Sequence, residues 1–369
     1  MKLRLAAPLA AALAFGGAAH AGDVEFLDIV FLEFEFENRM TADVALADVD
    51  GDGDLDVLAA NGRHWAQPDF VYLNHGDGRL LEALPIGDGP SATYRLQPGD
   101  YDGDGDIDVI AIRDTLPALA YVNDGAGRFL LVGALEGTGG AARSAIGLDA
   151  NQDGLPDLAI ARRRGADLLL LGKGNMQFAP AIELPGTEGS STGLAVADFD
   201  GDGDEDIAIA RRDGDSALLL INDGTGGFAA QALAGTEGDN RKLVAADFDG
   251  DGAVDLMLGR SDGSLGLLRN MGDGKLDAPV SIALGDAPIQ AMAAIDIDAD
   301  GMVDLAIGVE GGNAFLLNRG AAGFEVQQIE ENGADTYGIA SGDLNGDGRP
   351  DIAVANSESS NKIMLNRTE

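Results

Sequence analysis

Seven nine-residue windows hold the residues best suited to chemistry in this chain. Each follows D-x-[D/N]-x-D-G-x-x-D. Position 1 is Asp48, Asp100, Asp149, Asp198, Asp247, Asp296 and Asp343, and position 3 is Asp50, Asp102, Asn151, Asp200, Asp249, Asp298 and Asn345. Position 5 is Asp52, Asp104, Asp153, Asp202, Asp251, Asp300 and Asp347, and position 9 is Asp56, Asp108, Asp157, Asp206, Asp255, Asp304 and Asp351. Position 6 is always glycine, from Gly53 to Gly348, as a sharp turn requires. Position 7 varies freely through Asp54, Asp106, Leu155, Asp204, Ala253, Met302 and Arg349, which fits a residue used through its backbone carbonyl. Oxygen ligands at positions 1, 3, 5, 7 and 9 make a cage for a hard cation, and its charge and flexible geometry suit Ca²⁺ better than Mg²⁺. Soft metals want thiolate or imidazole, and the chain has no cysteine and three histidines. Without a cation, carboxylates packed this closely repel one another. Up to seven calcium ions are expected. The third and seventh loops carry the least charge and are the weakest sites. An EF-hand is excluded, because the residue at its twelfth position, Ala59 in the first loop, falls inside a strand.

The cations fall into register with these windows. Five residues beyond each position-9 Asp stand Asn61, Arg113, Arg162, Arg211, Arg260, Val309 and Asn356. Four consecutive repeats thus offer arginine at one place, with Arg163, Arg164 and Arg212 beside them. Arg39, Arg63, Arg95, Arg143, Arg241 and Lys242 fall on the same side of the repeats. Two readings fit: a cationic ring that grips an anionic or carbonyl-rich ligand through forked guanidinium groups, or solubilising hairpin tips paired with nearby acids. Trp65, the single tryptophan, adjoins His64 in the longest hairpin of that side, where it either stacks on a sugar or plugs the loop.

The elements that position these residues follow from the spacing. The windows recur at steps of 47 to 52 residues, a period that suits a four-stranded propeller blade. Each repeat reads as strand, acidic loop, strand, hairpin, strand, turn, strand. In the fourth, residues 193–197 enter the loop, 206–210 leave it, and 216–221 lead into the Asn222-Asp-Gly turn, a strong hairpin signal. The same turn recurs at Asn74, Asn123 and Asn270. The last repeat ends after 362–366, so its fourth strand is missing. Residues Leu32 to Glu37 alternate strictly as a strand and have no partner in the first repeat. Inserting them into the last repeat closes the ring and removes an exposed edge. The expected fold is therefore all-β, a seven-bladed β-propeller of four-stranded blades, with residues 22–369 as one domain. Residues 1–21 read as a cleavable secretory signal, with Lys2 and Arg4, an Ala/Leu-rich stretch and an Ala-His-Ala site.

The windows in series resemble the FG-GAP/VCBS repeats of integrin α-chain propellers and their bacterial relatives, over roughly residues 23–369. The literal Phe-Gly and Gly-Ala-Pro signatures are not evident, so the match is to the calcium-loop half of the pattern. The resemblance implies calcium between the first and second strands of each blade, and a mostly adhesive or binding family that includes some lectins.

A formal charge of −39 argues against phosphate backbones, and 5% aromatic residues leave little for base stacking, so nucleic acid is not expected as a partner. The leading expectation is a secreted or periplasmic, calcium-binding, non-catalytic propeller that recognises an extracellular protein or glycan as a monomer, without membrane insertion. One alternative is an enzyme acting on acidic polysaccharide, a lyase with His64 or Tyr94 as base and arginines on the uronate. No Ser/His/Asp set or phosphate loop supports catalysis, and His64 and His75 are expected on opposite faces. The other alternative is a passive module of a surface assembly.

Overall fold

The computed structural model describes residues 2–3, 24–27, 32–35, 37, 39–329 and 333–368. Beyond Lys2–Leu3 and the stretch from residue 24, the expected signal segment lies outside the described residues, as do parts of the Leu32–Glu37 strand. The described residues form an all-β molecule of repeated four-stranded antiparallel sheets, with no α-helix. Units are numbered here by their acidic loops. In the fourth, the strands are Ser191–Ala197, Asp206–Arg211, Leu218–Asn222 and Phe228–Ala232, hydrogen-bonded in chain order. The second strand of every unit begins at the position-9 Asp, from Asp56–Asn61 to Asp351–Ser357.

The alternation in these second strands sorts two packing faces. Ile207 and Ile209 pack with Ala159 and Leu169 of the third unit. Ala208 and Ala210 face the other way, against Leu256, Leu258 and Leu268 of the fifth. Both faces are covered by neighbouring sheets, so the strand is buried along its whole length. Large residues on one face and small ones on the other let adjacent sheets approach closely.

Side chains also latch the units together. Asn123 ends a third strand and donates from Nδ2 to Ile107 O in its own unit (3.0 Å) and to Val49 O in the preceding one (2.7 Å). Asn222, Asn270 and Asn318 reach back in the same way to Ala150 O, Phe199 O and Phe248 O. The third unit has Gly172 at this place, and there the backbone N–H groups of Asn175 and Met176 donate to Asp102 O and Tyr101 O. Turn residues in the sequence are thus also inter-sheet fasteners.

The inner strands touch in chain order, and that of the seventh unit, Asp335–Gly342, touches that of the first, Thr41–Ala47. Asn74 spans this junction with a bond to Leu344 O (2.8 Å). The third strand of the seventh unit, Asn361–Asn366, takes its outer partners from the N-terminal segment: Phe26–Leu27 pairs with Asn366 and Leu365, and Glu33–Phe34 with Lys362 and Asn361. Buried Glu35 then ties both ends, accepting from Asn61 Nδ2 (2.6 Å), Thr41 Oγ1 (3.1 Å) and Asn361 Nδ2 (2.7 Å). One departure from separate sheets occurs where Ile86 and Phe129 form a parallel bridge, which joins the first two units into an eight-stranded sheet.

Candidate functional site

All seven acidic loops share one internal frame. The position-6 glycine has positive φ in every loop, from 80° at Gly154 to 100° at Gly105, and its N–H donates to the position-1 carboxylate, as Gly53 does to Asp48 Oδ2 (3.0 Å). The position-9 Asp is fully buried and fastens two segments at once. Asp56 accepts from Val49 N–H (2.9 Å) and Asn74 N–H (2.8 Å), and Asp351 accepts likewise from Leu344 and Asn366. Burial raises Asp56 to about 6 and Asp304 to about 7. Burial, then the neighbouring Asp52, also pushes the Asp50 carboxyl up.

These donor sets fit a hard cation. Carboxylate oxygens of Asp48, Asp50 and Asp56 lie within 4.8 Å of one another, as do those of Asp100, Asp102 and Asp108, of Asp198, Asp200 and Asp206, and of Asp247, Asp249 and Asp251. The position-7 aspartates of the first, second and fourth loops lie against the third-to-fourth turn, since a side-chain carbon at Gly76, Gly125 or Gly224 would fall 2.5–2.7 Å from a carboxylate oxygen of Asp54, Asp106 or Asp204. His75 joins the first loop, with Nδ1 3.5 Å from Asp52 Oδ2. The sixth loop differs in a way its composition does not announce. Arg319 places its guanidinium on the buried Asp298, 3.9 Å from Asp300, while its Nε donates to Glu325 (3.1 Å). A protein cation therefore already offsets part of that loop's charge, more closely than Arg269 does at Asp249 of the fifth loop (3.4 Å). In the third loop, Gln152 donates to Asp204 of the fourth and Glu205 accepts from Asp149 N–H. In the seventh, Arg349 lies 3.6 Å from Asp347.

The opposite side carries a cavity of about 230 Å³ on the axis of the inner strands. Every inner strand carries a one-residue bulge at the same register, six residues before position 1: Ala42, Tyr94, Arg143, Thr192, Arg241, Gln290 and Tyr337. A bulge re-aims its extra side chain, and all seven of these residues line the cavity. The residues next in sequence, among them Asp43, Arg95, Ser144 and Lys242, line a second cavity of about 370 Å³ beneath it.

The arginines expected to face a ligand are not those that line this mouth. Arg113 donates from Nε and Nη2 to Pro117 O (2.8 and 2.6 Å). Arg162 binds Ala166 O (2.5 Å), Arg211 binds Glu188 O (2.7 Å) and Asp215 (2.9 Å), and Arg260 reaches Gly235 O (3.3 Å). Arg113 and Arg162 brace their hairpins, and Arg211 and Arg260 reach the connections that enter their units. The cavity is lined instead by their immediate neighbours Arg163 and Arg212, with Arg63, Arg143 and Arg241. Successive residues of a strand point to opposite faces, so a shift of one position exchanges the two sets. Trp65 is 67% exposed and absent from the lining, whereas His64 belongs to it. His64 and His75 lie on opposite sides, as expected.

Around His64 the polar contacts are dense. Its Nδ1 is 2.9 Å from Asp114 Oδ2, and the Tyr94 hydroxyl is 2.9 Å from Nε2. Arg143 donates to Asp114 Oδ1 (2.7 Å) and lies 4.2 Å over the Tyr94 ring. Burial raises the Tyr94 hydroxyl, with Arg143 partly offsetting it. Asp114 is held low: the His64 and Arg143 hydrogen bonds outweigh its burial, the largest single influence. Gln290, Glu310, Tyr337 and Thr192 escaped sequence reasoning, although their fixed distance from the acidic windows could have revealed them.

A β-propeller assembled from acidic-loop repeats is the class that these sheets and loops define. The FG-GAP-like repeat model matches residues 48–111, 100–160, 149–209, 198–258, 247–307 and 296–354, well over half of the sequence, and the chain belongs to that family. Among solved structures it is similar to BBS1N in complex with ARL6DN, at 15% identity and TM-score 0.61 over 92% of this chain and 96% of that one. It is similar to an Agrocybe aegerita lectin that recognises non-reducing terminal N-acetylglucosamine, at 19% and 0.57 over 87% and 86%. It is also similar to YCF48 from Cyanidioschyzon merolae, at 11% and 0.58 over 94% and 98%. At these identities the likeness concerns the fold alone. No curated protein matches the sequence. Among the described residues no helix is long and apolar enough to cross a membrane.

Proposed function

We propose that this chain is a secreted or periplasmic, calcium-stabilised propeller that binds an extracellular protein or glycan without catalysing a reaction on it. On this reading residues 22–369 form one monomeric, seven-bladed ring, closed by the N-terminal segment, and residues 1–21 are a signal. The observation that carries the binding reading is the channel mouth. A chain of net charge −39 places five arginines and Lys242 around one axial cavity, where a single ligand touches several blades. The lectin and the BBS1N–ARL6DN complex show that similar folds serve glycan and protein recognition.

Calcium would be held by the carboxylates of the first, second, fourth and fifth loops, with Asp48, Asp50, Asp52 and Asp56 as the pattern, and would neutralise their repulsion. The sixth loop has Arg319 in that role, and the third and seventh have the fewest acids. A pull-down and a glycan array, each with and without calcium, test the binding reading. Capture that is lost when Arg143, Arg163 and Arg212 are changed to Ser supports it, and unchanged capture moves the site off the mouth. The contact of His64 with Tyr94 and Asp114 favours a second reading, action on acidic polysaccharide. Turnover of a uronate polymer would establish that reading in place of the first.

A further inference from the structure

The channel mouth is not uniformly basic. Arg143, Arg163, Arg212 and Arg241 form one arc, from the third to the fifth blades, and Arg63 stands apart in the first. Beyond Arg241 the wall turns polar and acidic: Gln290 Oε1 accepts from Arg241 Nη1 (3.1 Å), its Nε2 donates to Glu310 (2.9 Å), and Tyr337 follows. The guanidinium groups are fixed from behind. Arg63 lies 3.8 Å over the Tyr337 ring, Arg143 is paired with Asp114, Arg212 with Asp239, and Arg163 lies 3.4 Å from Asp213. Each guanidinium has five N–H donors, so donors remain for a ligand.

Beneath the arc lies Lys242. It lines both cavities, and among the described residues no hydrogen bond or close ion pair holds its ammonium group, although the Asp43 carboxylate in the same lining acts on it. Beside it the Nε of Arg241 is buried without a hydrogen-bond partner. The buried Arg241 Nε and the half-buried Lys242 ammonium leave unmatched positive charge at the cavity, which an anion seated there offsets. A dianion would meet Asp43 and Glu310 in the same lining. A monoanion that also carries hydroxyl groups uses those carboxylates as acceptors. The volume, about 230 Å³, is below the roughly 300–1,000 Å³ of drug-sized pockets and suits one small residue.

We infer that the channel mouth is a subsite for a single carboxylated sugar, a uronate, whose carboxylate lies on Lys242 and Arg241 and whose hydroxyls face Glu310 and Gln290. This deepens the binding reading and rests on it.

Calorimetric titration of the full chain with D-glucuronate, glucose and inorganic phosphate, in calcium buffer, tests the assignment. Glucuronate should bind and glucose should not. Lys242→Met should weaken glucuronate about tenfold or more, the worth of one charge-assisted hydrogen bond. Arg212→Gln, at the rim and far from the core, gives the same reading in a smaller measure should Lys242→Met fail to fold, and melting curves identify that case. Equal glucuronate affinity in wild type and both folded variants overturns the inference, as does binding of phosphate without glucuronate or the absence of any binding. If a glycan array or pull-down still captures a ligand and the Lys242→Met variant leaves that capture intact, the broader binding reading stands and only the uronate site falls.

Discussion

At the residue scale, two sets of arginines that differ by one position in sequence have opposite duties. Arg113 and Arg162 satisfy carbonyls within their own hairpins, and Arg211, 8% exposed, satisfies Glu188 O in the connection that enters its unit. Replacing any of them by Ser should lower stability by about 1 kcal/mol, since a part-buried carbonyl loses its charged donor. Arg163→Ser breaks an exposed ion pair and should cost a few tenths of a kcal/mol at most, and Arg212→Ser breaks a part-buried one and should cost about 1 kcal/mol or less. Urea midpoints distinguish the two classes, and equal losses would place all these arginines in one role. Asp69 offers a pH test. It is buried, accepts from Asn61 N–H (2.7 Å) and Thr93 Oγ1 (2.6 Å), and burial raises it to about 7, with Glu35 adding to the rise and Arg113 opposing it. A carboxyl raised on folding favours the native state most when protonated. Its contribution is complete below about pH 4 and is lost as pH rises towards 7. Asp167, also raised to about 7 by burial, acts in the same direction. Stability measured from pH 4 to 7 should therefore fall less steeply in Asp69→Asn than in wild type.

At the scale of elements, the asparagines that end third strands also latch neighbouring sheets together. Asn222 donates to Ala150 O (2.9 Å) across the sheet junction and to Glu205 O (3.1 Å) within its own sheet. Asn222→Ala should strand both carbonyls and cost about 1–3 kcal/mol. The third unit, with Gly172 in this place, closes its junction by backbone bonds instead. Gly172→Asn should therefore add nothing, because a side-chain carbon there would fall 2.4 Å from Pro156 O. A gain in melting temperature for Gly172→Asn would show that the junction has room for a latch.

For the whole molecule, net charge and ring closure set the terms. Loops that concentrate carboxylates destabilise the fold unless a cation neutralises them, and a ligand that binds only the native state stabilises it by mass action. Extracellular calcium modules often bind at about 10⁻⁴–10⁻³ M. Melting temperature should rise in millimolar Ca²⁺ and fall on chelation. Removing the internal cation with Arg319→Ala should create a further calcium requirement at the sixth loop, seen as a steeper response to chelation. A melting curve indifferent to exhaustive chelation would remove the metal from the account. Closure depends on the N-terminal segment, because Glu33–Phe34 covers the edge strand and Glu35 ties the first and last units. Deleting residues 22–38 should expose Asn361–Asn366 and drive association, measurable by light scattering. A deletion that stays monomeric and equally stable would contradict it.

The sequence by itself determined the period, the cation-ready loops, the hairpins and the spare N-terminal strand. These features are local: Asp and Gly at fixed spacing dictate a turn, and alternation dictates a half-buried strand, wherever the segment later packs. Placement across the molecule was decided by tertiary structure. That Arg143 and Arg241 face the channel depends on a bulge, a property of the register between two strands that neither strand encodes alone. Arg319 enters the sixth loop from the end of a third strand, and Asn74 bonds across to the last unit, at distances along the chain that no local pattern reports. The floor of the mouth, lined by Lys242, Arg95 and Asp43, exists because strands from separate repeats converge on one axis, so only closure of the inner strands puts those charges in one cavity.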